Sequence, residues 1–316
     1  MDSTQDRTWA LTCSEPQALW QPTDRLMLGA NAVMFFVATL SAHTSSERLA
    51  FGVAHVLVVV LAFVLANADR AAARRGAVVA FCHDWFPALF TLALFFELSQ
   101  VIPRIHPYAE HPYDSWLQAL DVQLLGDPAR FMSQLGPRWL ADVLALCYAA
   151  YYPFTVSVPA ILYVRKAQQP FRQAAIIIMS AFMLTYVGYA LVPAVGPHLL
   201  FDGPRADVLN GYGFARYAYS LLLGVPFEPP DAFPSGHTLM AVLVPVLAWR
   251  WCRPLFGLLV LVGIGIVAAT IYLRYHYIAD VLAAFVLAPV AWRMGIVLDR
   301  RYAGPSAATR KVGRAD

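Results

Sequence analysis

The chain has 316 residues, 59% hydrophobic and 14% charged, with a mean hydropathy of +0.55. A soluble domain carries roughly 25% charged residues, so this composition excludes one soluble core and calls for membrane spans. A net charge of +3, with no basic patch interleaved with aromatics, excludes a nucleic-acid partner.

Residues 1–25 are polar and lack the apolar run and small-residue cleavage site of a signal peptide. They read as a cytoplasmic N-terminal segment. A membrane domain follows over 26–298, with a basic cytoplasmic tail over 299–316. A span needs about 20 mostly apolar residues. Eight stretches qualify: 26–42, 50–67, 80–102, 139–164, 173–193, 236–252, 254–273 and 275–298. The first and sixth are short. The expected fold is an all-α polytopic membrane helix bundle of about eight transmembrane helices.

Two connections are long. In residues 103–138, the stretch Trp116 to Leu125 alternates apolar and polar residues at near-helical spacing, which predicts a short surface helix. Residues 194–234 are rich in Gly and Pro, and a loop of that length is often functional. Alternate connections carry 16 and 7 of the Arg and Lys residues. The positive-inside rule then places both termini in the cytoplasm and the long loops on the other face. The expected location is a bacterial inner (cell) membrane.

The four cysteines form no CxxC and no Cys/His spacing for zinc. The chemistry-bearing residues lie in the last third. At Phe233-Pro234-Ser235-Gly236-His237-Thr238, Pro234 blocks a helix from extending upstream. Ser235 suits an N-cap, and Gly236 lets a bound group approach the backbone. A helix start is an anion site, and His237 brings a titratable nitrogen to it. At Arg274-Tyr275-His276-Tyr277-Ile278-Ala279-Asp280, His276 and Asp280 stand at i and i+4 and so share a helix face. An aspartate on one ring nitrogen leaves the other as nucleophile or base. The 39 residues from His237 to His276 allow one span in, a short turn at Arg253-Pro254, and one span back. Both histidines then reach the same membrane face.

These two segments resemble the second motif (PSGH) and the end of the third motif (HxxxD) of the type 2 phosphatidic-acid phosphatase superfamily. That family's third motif begins Ser-Arg; here Ala269-Thr270 stands there, and Arg274 lies two residues before the histidine. The first motif, KxxxxxxRP, is missing, and Pro193-Ala194-Val195-Gly196-Pro197-His198 occupies its place. The departures look more like the inositolphosphotransferase-like branch, which resembles inositol phosphorylceramide synthases. Asp121, Gly126 and Pro128, then Tyr148, Tyr151, Tyr152 and Pro153, fit that branch.

The resemblance covers about residues 80–295 and implies a six-helix catalytic core over about 80–298 with two extra helices. It implies a phosphohistidine on His276, oriented by Asp280, with His237 protonating the leaving alkoxide. Ser235, Gly236, Arg274 and His198 would bind phosphate, with Glu97, Arg205 and Arg216 as possible accessories. No metal and no cofactor are implied. The partner is a membrane lipid within the bilayer. Three readings stand: a lipid-phosphate phosphatase, a head-group phosphotransferase, and a non-catalytic lipid carrier or transporter. His106, Glu110, His111 and Asp114 form a loop cluster that reads as a solvated face, with a metal or head-group site as the alternative. His83-Asp84 reads as structural, and Ala283, Ala284 and Ala288 as small residues for helix packing.

Overall fold

The computed structural model describes residues 20–71, 76–106, 112–126, 137–200, 211–215, 217 and 230–302. All regular structure among them is helical. In chain order the helices are α1 (Pro22–Ser41), α2 (Ser45–Ala71), α3 (Ala77–Ile105), α4 (Pro112–Leu125), α5 (Arg138–Ala149), α6 (Tyr151–Val164) and α7 (Gln168–Leu191). After a single turn at Pro197–Leu200 come α8 (Gly236–Trp251), α9 (Phe256–Tyr272) and α10 (Ile278–Tyr302). Among the described residues five segments are long and apolar enough to cross a membrane, or six if α5 and α6 count as one span. The remaining expected spans are α1, of 20 residues, and α8, of 16. At 1.5 Å per residue α8 is about 24 Å long, shorter than the roughly 30 Å hydrocarbon core.

The single span expected over 139–164 is two helices. α5 and α6 meet at Ala150 with a bend of 43°. Pro153 supplies the reason: it has no N–H for the Ala149 carbonyl, and its ring crowds that oxygen. The helix predicted from Trp116 is α4, which begins earlier, at Pro112, a residue suited to a first helical turn.

Large apolar side chains of α7 and α8 pack on α10 at Ala284, Ala288 and Ala291, and α6 packs in turn on α7 and α8. Small residues let membrane helices approach until dispersion contacts are dense. α1 and α3 pack on the other side of α7 through Met27, Leu94, Val101 and Tyr186. The polar residues of this outer unit pair among themselves. His83 on α3 touches Asp69 and Asp24, each at 3.0 Å, and Gln21 donates to Asp84 at 2.8 Å.

Candidate active site

His237 and His276 come together. α8 runs away from the site, a 3-10 turn at Arg253–Leu255 reverses the chain, and α9 returns. Ser235 caps α8, its Oγ accepting from the Thr238 N–H at 3.2 Å. His237 therefore sits in the first turn of that helix. Past α9 the chain bends sharply: the Tyr275 and His276 amides both donate to the Thr270 carbonyl, and Arg274 adopts a left-handed φ of 62°. For a residue with a Cβ this conformation costs roughly 1–2 kcal/mol.

His276 is not on the helix with Asp280, as the i, i+4 spacing implied. α10 starts at Ile278, and Asp280 lies in its first turn, where Oδ2 accepts the Tyr277 N–H at 2.8 Å. The carboxylate still reaches His276 Nδ1, at 3.3 Å, by curling back over the turn. A closer partner for Nδ1 is the Ala232 carbonyl, at 2.8 Å. A carbonyl can only accept, so Nδ1 carries the proton. Nε2 is then the unprotonated nitrogen, and it faces His237 Nδ1 at 3.4 Å.

His237 is clasped by aromatic rings. Tyr148, at the end of α5, stacks on it at 4.3 Å and 19°. Tyr151, at the start of α6, lies 4.1 Å away at 37°. The break at Ala150 places both rings against one imidazole. Tyr148 also packs on Tyr275, at 4.4 Å. Gly236 has no room for a side chain, because a Cβ there would stand 2.9 Å from the Tyr189 hydroxyl.

A model of the PAP2 superfamily matches residues 115–294, more than half of the chain. The chain belongs to the PAP2 superfamily. A PA-phosphatase related-family protein of Dictyostelium discoideum is 30% identical over 111 residues, which are 34% of this chain and 20% of that relative. The chain thus spans about a fifth of the length of the curated relative it matches. No solved structure matches it significantly. The PAP2 match begins in α4 and ends in α10, so α1–α3 lie outside it.

At the start of the PAP2 region, two carboxylates on α4, Asp114 just before the match and Asp121 inside it, hold the site's backbone. Asp114 is fully buried and accepts from the Val195 and Gly196 amides, the latter at 2.9 Å, and from the Tyr277 hydroxyl at 2.9 Å. Asp121 accepts from the first amides of α10, Ile278 at 2.7 Å and Ala279 at 3.2 Å. These N–H groups have no partner inside their own helix. Asp114 is therefore a tether and not part of a solvated loop face. Its expected neighbours Glu110 and His111 lie outside the described residues.

His198 stands near the site, its ring edge-on to Tyr275 at 5.2 Å. Gly196 makes that approach possible: its φ is +96°, and a Cβ would collide with the Tyr275 carbonyl. Arg274, two residues before His276, is 7% exposed. Glu97 lies away from the histidine pair, between α1, α2 and α3, with Oε1 at 2.9 Å from His55 Nε2. Arg205 and Arg216 lie outside the described residues, as do Pro128, residues 1–19 of the N-terminal segment and residues 303–316 of the basic tail; beyond these, the two segments are helical from Pro22 in α1 and up to Tyr302 in α10. Among the described residues no group of three or more His, Cys, Asp or Glu could hold a metal ion.

Sequence reasoning missed Asp231 and the Ala232 carbonyl. Asp231 shares a cavity wall with Gly236, His237, Tyr151, Tyr152 and Tyr189. Burial pushes its carboxyl up from 3.8 to about 6, and the nearby His276 partly opposes that rise. The available signal was a lone carboxylate between Pro230 and Phe233, in the approach to Ser235.

Proposed function

We propose that the protein is a membrane lipid phosphatase or phosphotransferase that works through a phosphohistidine on His276. One observation carries this reading. The Ala232 carbonyl and Asp280 hold the proton on Nδ1, which leaves Nε2 aimed at His237 beside an apolar cavity.

In the first step Nε2 attacks phosphorus, and the bond from phosphorus to the lipid oxygen breaks. His237 gives its proton to that oxygen as the alcohol leaves. A phosphoryl group needs more than the 3.4 Å between the two rings, so His237 withdraws along its tyrosine stack as substrate enters. Asp280 stabilises the positive charge on His276, since a buried carboxylate is most effective where water is excluded. In the second step the oxygen of water attacks phosphorus, the N–P bond breaks, and His237 takes up the proton. Ser235, the Gly236 N–H, Arg274 and His198 are the proposed phosphate contacts, where fixed donors offset developing charge.

A lipid hydroxyl in place of water makes the second step a head-group transfer, the chemistry of the inositolphosphotransferase-like branch. The segment Pro193–His198, which carries neither Lys nor Arg, favours that variant. We place the site on the non-cytoplasmic face, from the distribution of Arg and Lys.

The test is turnover by the purified protein on a panel of lipid phosphates, with and without acceptor lipids. Free phosphate or a new phospholipid that disappears in His276→Ala is the expected result. Activity surviving His276→Ala would overturn the phosphohistidine. A wild type that binds lipid phosphates but turns none over would make the protein a carrier.

A further inference from the structure

The cavity at His237 does not end at the site. It has a volume of about 480 Å³ and runs between α3, α6 and α7 to Phe81, Trp85 and Phe171. On α7 the lining extends from Tyr189 to Phe171, eighteen residues or about 27 Å of helix. One leaflet supplies only about half of the roughly 30 Å hydrocarbon core. The cavity is therefore deeper than a leaflet.

Its wall presents carbon. Three of the hydroxyls along it are turned onto backbone: Thr91 to the Pro87 carbonyl, Thr155 to the Tyr151 carbonyl and Tyr186 to the Thr91 carbonyl, each at 2.8 Å. Its far end is an aromatic floor. Trp85 lies 5.6 Å from Phe171 and 6.0 Å from Tyr163, and Phe81 packs on Tyr163 at 5.8 Å. Thr23 and Asp84 line the same end, Asp84 standing on α3 between Phe81 and Trp85 and held by Gln21. A hydrocarbon chain would gain at every carbon down to the aromatic rings and nothing past them.

We infer that this cavity holds the hydrocarbon tail of the lipid phosphate, extended past the bilayer midplane, with the Phe81–Trp85–Phe171 floor setting the preferred tail length. The occupant follows from continuity: the cavity wall ends at Gly236 and His237, and the His276 nitrogen proposed to meet the phosphoryl group stands 3.4 Å from the His237 ring. The inference rests on the lipid-phosphate reading, so its test carries a readout that needs no turnover.

Octyl, dodecyl, hexadecyl and eicosyl phosphate are offered to the full-length protein at equal mole fraction in detergent micelles. In the micelle the tail is already out of water, so the gain comes from closer packing of each methylene against the cavity wall; kcat/KM should rise by about tenfold from octyl to hexadecyl and then level off. Ala175→Trp fills the cavity just above the floor and should cancel the advantage of hexadecyl over dodecyl while sparing octyl phosphate. A length profile that Ala175→Trp leaves unchanged would overturn the inference. Independently, hexadecyl phosphate bearing a terminal diazirine is photolysed with wild type and with His276→Ala. Adducts at Phe81, Trp85 or Phe171 in both uphold the tail site even if no phosphate is released, in which case only the enzymatic reading fails. Adducts confined to the lipid-facing surfaces of the helices overturn the tail site whatever the turnover.

Discussion

Two sets of buried histidines divide the molecule. In the α1–α3 unit, His55 has Asn31 on one ring nitrogen and Glu97 on the other, both at 2.9 Å. His83 likewise has an aspartate on each nitrogen. In the PAP2 region, His276 gives one nitrogen to a carbonyl and a carboxylate and turns the other towards His237, which lines the cavity. All three rings face the same cost for a polar group in hydrocarbon. The difference lies in what is left over. A ring satisfied on both sides glues helices together, whereas a ring satisfied on one side by fixed acceptors keeps a directed lone pair.

The sharpest way to break this comparison is to remove one ring of each kind. His276→Ala should lower phosphate release by about a thousandfold or more, while His55→Ala should change it by no more than a few-fold. Equal losses would dissolve the distinction. Next comes Asp280→Asn. Where an aspartate alone sets the tautomer of a catalytic histidine, its loss costs about 10⁴ in kcat. Here the Ala232 carbonyl shares the task, so kcat should fall only about a hundredfold; a loss of 10⁴ would show that the carbonyl does little.

Three smaller effects concern stability. Asp231→Asn tests the burial of that carboxyl. Its folded pKa, about 6, lies above its ordinary 3.8, so the folded state binds the proton more tightly. Stability should fall as pH rises from about 4 to about 6 and then stay flat. The asparagine variant should lose that slope and gain about 1–3 kcal/mol above pH ~7, read as a higher Tm there and an unchanged Tm near pH ~4. Asp121→Ala strands the amides of Ile278 and Ala279 and should cost about 1–2 kcal/mol, seen as a lower Tm in detergent. Glu97→Gln keeps a partner for His55 and should cost about 0.6 kcal/mol or less, with turnover unchanged.

What the sequence disclosed follows from where the information sits. The spans were legible because lipid demands long apolar runs, and the histidine pair because Ser235-Gly236-His237 and His276 to Asp280 are side-chain patterns at fixed spacing. The bend at Ala150 was not read, although Pro153 marks it, because the apolar pattern runs straight through. The Ala232 carbonyl was invisible because any residue supplies one. Asp121 could be seen on the amphipathic stretch from Trp116 and Asp114 in the loop cluster before it, but their partners lie 81 to 163 residues away. Nothing local announces contacts of that separation.

That separation also bears on assembly. Asp114 and Asp121 emerge from the ribosome long before the amides and the hydroxyl they must receive, the last of which belong to Ile278, Ala279 and Tyr277. Chains are made N-terminus first, so Asp114 can take the Val195 and Gly196 amides early, but it lacks the Tyr277 hydroxyl, and Asp121 its amides, until α10 arrives. The proposed reactive centre therefore forms only with α10, and a chain stopped before that helix can fill a bilayer with helices and still hold no such site.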